Sequence, residues 1–339
     1  MRIRGPGLAA VCGAIAICAA GCGGSGSSGP KVGPPTCHWH VRHEHPSTTD
    51  DLTGLSFPDA THGWAVGGID GPTIEATSDG GRTWHRQHGP GTDGLNTVSF
   101  PDDQHGWAVG IDDLVLTTSD GGAHWTAQRL HVAKRGNLYG VWFVNAHDGW
   151  VVGAGGLIER TTDGGRTWTA QQSGTRQDLQ SVQFTDANHG WIVSDGEILR
   201  TSDGGATWSR ALTATSKNSQ ILAGLTFLNS RIGWVAGSQQ DGSANHGVIV
   251  RTTDGGRAWT THDITAFDDV RFGAVAFTDP LHGWAAGYQG ELFYTDNGGV
   301  SWAEHDPSTI GNRLDAIVMH NATRGWAVGQ SGTIIACTT

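Results

Sequence analysis

Charge is scarce in this chain: 16% of its 339 residues are Asp, Glu, Lys or Arg, which excludes a long coiled coil and a charged disordered tail. Basic residues are scarcer than acidic ones, 21 against 32, and the formal net charge of −11 argues against a surface built for nucleic acid. No long stretch carries a helical period, so no helical architecture is expected. The apolar run from Leu8 to Ala20 is too short, and too soon followed by Gly and Ser, to act as a permanent membrane span. Against these absences stand 53 Gly and 15 Trp, the composition of many tight turns between strands anchored by aromatic side chains.

Residues 1–21 read as a secretion leader, with a basic start (Arg2, Arg4), the apolar run, and small residues ending at Gly21. Its removal deepens the net charge to −13. The sequence at the cut, Ala19-Ala20-Gly21-Cys22, resembles the bacterial lipobox, in which the Cys becomes the first mature residue and carries a lipid on its sulfur; Ala19 stands where that pattern usually has Leu. The resemblance implies a lipid anchor on Cys22 and a place at the outer face of the cytoplasmic membrane, the alternative being an ordinary signal peptide cut nearby and a secreted chain. Residues 22–36 are rich in Gly, Ser and Pro and read as a solvated tether. Of the five cysteines, Cys12 and Cys18 leave with the leader and Cys22 takes the lipid. Cys37 and Cys337 remain, one at each end of the folded part, as suits an oxidising compartment.

From residue 37 to 339 the chain repeats itself. A Gly-Trp strand recurs at Trp64, Trp107, Trp150, Trp191, Trp234, Trp284 and Trp326, spaced by 43, 43, 41, 43, 50 and 42 residues, the length of a four-stranded propeller blade. The long interval contains an insertion from Ser238 to Gly247. Each unit holds a first strand of the LxxVxF type (Leu138, Val141, Phe143), the Gly-Trp strand, a third strand with a fixed apolar position (Ile74, Val115, Ile158, Ile198, Ile249, Leu292, Ile334), and a fourth strand opening on a second Trp. The expected fold is all-β, a seven-bladed propeller.

Between third and fourth strands sits TSDGGRTW (Thr77 to Trp84) and its counterparts, carrying Asp79, Asp120, Asp163, Asp203, Asp254 and, in the sixth unit, Asn297. The Asp accepts backbone N–H bonds, the Gly pair supplies positive φ, and the Trp packs the hairpin base. These residues resemble the Asp-box, or bacterial neuraminidase repeat. Together with the GWAVG strands they look most like the photosystem II stability and assembly factor family, seven-bladed propellers with non-photosynthetic relatives, in which the boxes are structural. The last unit lacks its fourth strand, and Cys37-His38-Trp39 matches the missing piece, so the N-terminal strand is expected to close the ring. Cys337 replaces the first Thr of the box and Cys37 lies two residues before the Trp, on opposite arms of one hairpin, so a disulfide between them can clasp the closure.

Asp-boxes also occur in sialidases and some glycoside hydrolases. The chain has only Tyr139, Tyr288 and Tyr294 for a sialidase nucleophile and lacks the Arg-Ile-Pro signature. Xyloglucanase-type enzymes pair two propellers, and one is present here. Asp112 and Glu197 are a carboxylate pair that would serve a glycosidase only across the channel mouth. His38 and His40 point to one strand face and His43 and His45 to the other, which disfavours a shared metal. The His preceding Gly-Trp (His62, His105, His189, His282) reads as turn packing.

No enzyme activity, cofactor or metal is expected. Function is placed on the face away from the boxes, where loops entering the inner strands hold Lys134, Arg135, Arg176, Arg271 and Arg313. An Arg cluster there would bind a protein or anionic partner, and exposed aromatics would instead favour carbohydrate. The leading expectation is a membrane-anchored, protein-binding assembly scaffold; a cell-envelope carbohydrate-binding propeller and, less favoured, a glycoside hydrolase remain as alternatives.

Overall fold

Strands buried on both faces cannot alternate polar and apolar residues, and the Gly-Trp strands do not. Gly63–Gly67, Gly106–Gly110, Gly149–Gly153, Gly190–Ser194 and Gly283–Gly287 are buried at every position. The fourth strands, such as Thr169–Gln172, are largely exposed and form the outer rim. In the computed structural model the residues described are 37–41, 48–130, 136–213, 219–241, 244–265, 267, 269–305 and 311–338, all within the unit Val32–Thr339. They form seven antiparallel sheets of four strands, with three short 3-10 turns and no α-helix.

The first strands, Leu52–Ser56, Leu95–Ser99, Leu138–Phe143, Leu179–Phe184, Ser219–Phe227, Phe272–Phe277 and Leu314–Asn321, touch one another in sequence, and the last touches the first. They therefore ring the axis, and the sheets are blades 1 to 7 in that order. Polar side chains stitch the ring. Thr53 Oγ1 donates to the Leu95 carbonyl at 3.1 Å and Asn96 Nδ2 to the Leu138 carbonyl at 2.8 Å. Ser56 and Ser99 accept the Phe100 and Phe143 amides, each at 3.0 Å.

Blade 7 takes its outer strand from the other end of the chain, as the repeat pattern predicts. His38–Val41 pairs antiparallel with Ile334–Thr338, Trp39 opposite Cys337. Cys37 and Cys337 are joined by a disulfide with Cα atoms 5.7 Å apart, and both are fully buried. In blade 5 the inserted residues extend a hairpin, lengthening the second and third strands to Gly233–Asp241 and Ala244–Thr252, nine residues each.

The blades adhere through one repeated aromatic joint. The Gly-Trp indole of one blade stacks flat on the first-strand Phe of the next, as in Trp107 on Phe143 at 3.5 Å and 5° or Trp326 on Phe57 at 3.6 Å and 4°. That Phe meets the box Trp of its own blade edge-on, Phe143 with Trp168 at 88°. Stacked and edge-to-face pairs of this kind add about 0.5–1.5 kcal/mol each beyond area burial. The strand glycine is required here: a Cβ on Gly149 would drive into the Phe143 ring. Between blades 6 and 7 Met319 occupies the Phe position, and Trp39 packs edge-on against Trp284 instead.

The described residues begin at Cys37, so the leader at 1–21, Cys22 and the tether at 22–36 lie outside them, as do Lys134, Arg135, His43 and His45.

Candidate functional site

Because strand direction alternates within a blade, first-to-second and third-to-fourth turns share one face of the ring. Second-to-third turns and the links between blades make the other. The box hairpins and the Gly-Trp turns therefore lie together.

On this box face the aspartates are consumed locally. Asp163 Oδ1 accepts the Thr167 amide at 2.9 Å and the Thr161 hydroxyl at 2.8 Å, and Oδ2 accepts the Thr167 hydroxyl at 2.7 Å. Thr161 Oγ1 in turn accepts the Gly165 amide at 2.8 Å, with Gly164 and Gly165 at φ 72 and 82. The Thr167 amide and hydroxyl hold the Asp163 carboxyl down at about 2, and the same pattern holds Asp120 and Asp203 at about 2. Asp79 makes the equivalent bonds, and Asp254 accepts the Thr252 hydroxyl and the Ala258 amide, with no hydroxyl at 258 for its second oxygen. Asn297 reproduces them with an amide, accepting the Ser301 amide at 3.0 Å and donating to its hydroxyl at 2.7 Å. The turn also clasps the neighbouring blade, since the Gly-Trp indole N–H of every blade but the sixth donates to the first box glycine of the next blade, Trp107 to Gly164 at 3.0 Å and Trp326 to Gly80 at 3.0 Å. Among the described residues no three His, Cys, Asp or Glu converge on a metal position.

The histidines before Gly-Trp close their own turns. His62, His105, His189 and His282 each place Nδ1 within 2.7–3.0 Å of a carboxylate oxygen three residues earlier, on Asp59, Asp102, Asp186 and Asp279. His38 and His40 are both exposed, on either side of buried Trp39.

On the opposite face the charges cancel in pairs. Arg129 is clamped by Asp93 and Asp112, and Arg210 lies 3.3 Å from Glu197. The carboxylates of Asp112 and Glu197 thus belong to separate ion pairs in blades 2 and 4. Arg313 reaches Asp315 at 2.8 Å and Asp51 at 3.4 Å, and burial pushes the Asp315 carboxyl up despite that guanidinium. Arg271 sits 3.7 Å from Asp269. Arg176 is exposed and makes no ion pair among the described residues. The three described loop arginines lead into blades 4, 6 and 7. Tyr288 is the one exposed large aromatic among the described residues, at 42%.

Positive charge also gathers on the box face, where Arg160 lies 3.9 Å from Asp148 and Arg251 makes no ion pair among the described residues. Arg160, Arg200 and Arg251 occupy the same third-strand position in blades 3, 4 and 5, each opposite the Gly-Trp indole of its own blade. The Arg160 and Arg251 guanidiniums lie over those indoles at 5.3 and 5.5 Å. Between blades 4 and 5 a recess of about 440 Å³ is lined by His189, Trp191, Arg200, Arg231, Asp254 and Arg257, among others. Arg200 and Arg231 make no ion pair among the described residues, and Arg257 Nη1 donates to the Asp254 carbonyl at 3.3 Å. Three guanidiniums thus share the recess with one box carboxylate. The equivalent recess between blades 2 and 3 has Thr117 and His147 where Arg200 and Arg231 stand. The sequence carried a signal for this arc: Arg immediately precedes the box Thr in ERTTDGG, LRTSDGG and VRTTDGG, in three consecutive units.

Comparison with known proteins follows the same architecture. The family model described as photosynthesis system II assembly factor YCF48 matches residues 90–176 and 167–267, just over half the chain. A solved structure of YCF48 bound to D1 peptide superposes with a TM-score of 0.71 at 25% identity, covering 89% of this chain and 97% of that one. YCF48 from Cyanidioschyzon merolae gives 0.70 at 22% identity, covering 88% and 98%. The Niastella koreensis GH74 enzyme gives 0.67 at 15% identity over 85% of this chain and 52% of that one, a likeness of fold alone. A search of curated proteins finds no match.

Proposed function

The chain belongs to the photosystem II assembly factor YCF48 family, and from that premise we propose that it is a protein-binding scaffold tethered outside the cytoplasmic membrane by a lipid on Cys22. Its docking point is the arginine recess between blades 4 and 5, and its partner presents an acidic segment or a free carboxylate. The observation that carries this reading is the set Arg200, Arg231 and Arg257 facing one carboxylate in a recess of about 440 Å³. Guanidiniums unspent on local carboxylates are the groups available to bind an incoming one bidentately. The 25% identical relative solved with a D1 peptide supports a protein segment as the occupant. Carbohydrate is the weaker reading, because Tyr288 alone offers an exposed large aromatic among the described residues.

Two experiments test this. Crosslinked pull-down from host membranes should recover the partner with the full chain and with Arg271→Glu/Arg313→Glu, and lose it with Arg200→Glu/Arg231→Glu. The reverse pattern would move the site to the other face. For the anchor, Cys22→Ser should release the protein from detergent-free membranes or leave it unprocessed; unchanged retention would remove the lipid from the account.

A further inference from the structure

The repeat is broken at a second place, on the rim between blades 2 and 3. The third strand position opposite the middle of the Gly-Trp strand is Leu116, Leu199, Val250, Phe293 and Ile335 in five blades, none more than 1% exposed. In blade 3 it is Glu159, which is 7% exposed and makes no hydrogen bond or ion pair among the described residues. Blade 1 has Glu75 there, fully buried.

A neighbouring bond is missing at the same spot. Gln87 donates to the Gly121 carbonyl at 2.9 Å and accepts the Trp125 indole N–H at 3.1 Å, and Gln171 does the same with Gly204 and Trp208 at 3.0 and 3.2 Å. Gln128 is the corresponding residue of blade 2. Its amide donates instead to the Gly165 carbonyl at 2.7 Å, and the Trp168 indole N–H is left buried with no acceptor, as are the box indoles Trp84 and Trp259. Glu159 and Trp168 line one cavity of about 710 Å³ with Gln128, Arg129, Leu130, Arg166, Thr167 and Ala170, the Arg129 guanidinium being held by Asp93 and Asp112.

A desolvated carboxylate and an unmade indole hydrogen bond each cost stability, and leucine at 159 with the glutamine clamp closed would remove both. We propose that this cavity is a binding site for a primary ammonium group with a hydrogen-bond acceptor beside it, the head of an amino acid or of a peptide amino terminus. The ammonium neutralises Glu159, the adjacent carbonyl or carboxylate accepts the Trp168 N–H, and Arg166 meets a free carboxylate where there is one. Burial pushes the Glu159 carboxyl up, as expected of an acid whose counter-charge is not supplied by the chain. A metal ion does not fit, since no three ligating side chains converge among the described residues. The cavity volume is that of a small-ligand pocket.

The test titrates the 15N-labelled full chain with L-alanyl-L-alanine amide, its N-acetyl derivative and free L-alanine, following the indole N–H signal of Trp168. That signal is assigned by its loss in Trp168→Phe. At least one ammonium-bearing probe should shift it saturably and the acetylated one should not. The tighter of the two binders identifies a peptide terminus or a free amino acid as the source. Glu159→Leu should weaken binding at least tenfold while raising the melting temperature. Glu159→Gln, which keeps the shape and removes the charge, should weaken it comparably. Absence of any saturable shift, equal binding of the acetylated probe, or undiminished binding by both variants would overturn the proposal. The cavity is separate from the arginine recess, so Arg200→Glu/Arg231→Glu should bind these probes as the unaltered chain does.

Discussion

The two faces of the ring spend their charges in opposite ways. On the box face the carboxylates serve as turn acceptors, and Arg251 and Arg200 at the third-strand ends are left facing an indole and an open recess. On the other face Arg129, Arg210, Arg271 and Arg313 are each held against carboxylates of their own or a neighbouring blade, and Arg176 makes no ion pair among the described residues. A count of basic residues in loops therefore points to the wrong currency: what is available to a partner is the charge that the fold has not already paired. The same reasoning bears on the box Asp, whose carboxyl oxygens are engaged by its own turn.

The largest perturbation should come from the one blade that has no intact box. In blade 7 a disulfide stands where the box hydrogen bonds stand elsewhere, and it joins positions 300 residues apart. By chain entropy alone such a link is worth at most about 5 to 6 kcal/mol, less whatever residual structure the reduced unfolded chain retains. Reduction, or Cys37→Ser/Cys337→Ser, should lower the melting temperature by more than any single surface change. A thermal scan showing no difference between oxidised and reduced protein would mean that strand pairing alone closes the ring.

Charge reversal tests the contrast between faces directly. Arg200→Glu/Arg231→Glu should reduce partner capture about tenfold or more, and the loss should shrink as salt is raised for the unaltered protein too. Its melting temperature should fall by no more than a few degrees, because Arg231 is exposed and Arg200 is half-buried with no ion pair among the described residues. Arg313→Glu should do the opposite, leaving capture intact while lowering the melting temperature by a few degrees, because Asp51 and Asp315 lose their partner and gain a repelling neighbour. Equal effects of both changes on capture would erase the distinction.

A smaller effect is expected at the boxes. Asp163→Ala should lower the melting temperature by a few degrees and leave capture unchanged. The pH dependence has a definite sign. The folded carboxyl titrates at about 2, below the unfolded value of about 3.9, so its stabilisation is present above about pH 4 and is lost as pH falls through 2. Asp163→Ala should therefore flatten the melting curve against pH in that window. Glu159 runs the other way: burial raises its folded value, so its favourable contribution is present below the unfolded value and fades as pH rises through the folded one. The stabilisation from Glu159→Leu should be larger at pH 7 than at pH 4, and a gap that narrows with rising pH would contradict the buried-carboxylate account.

Much of the fold was legible because its instructions are local. The Gly-Trp period counted the blades, the Gly pair and Asp marked each hairpin, and the orphaned Cys37-His38-Trp39 segment announced which strand completes blade 7. The insertion after Trp234 was legible as extra residues, yet whether it formed a loop or longer strands depended on pairing between Gly233–Asp241 and Ala244–Thr252. The site was less legible. The loop arginines Arg176, Arg271 and Arg313 were found by position, but the neutralisation of Arg271 and Arg313 was not, and the repeated Arg before the box Thr was present in the sequence without any sign that it faced a recess.

Sequence alone determined the blade number, the order of strands, the role of each box and the direction of ring closure, since strand periodicity and turn chemistry act over a few residues and repeat faithfully. Tertiary structure decided which charges remain free. Asp51 is 262 residues from Arg313, and Trp168 lies 40 residues beyond Gln128 without meeting its side-chain oxygen. Electrostatic pairing and burial depend on distances through space, and those exist only once neighbouring blades have been brought face to face.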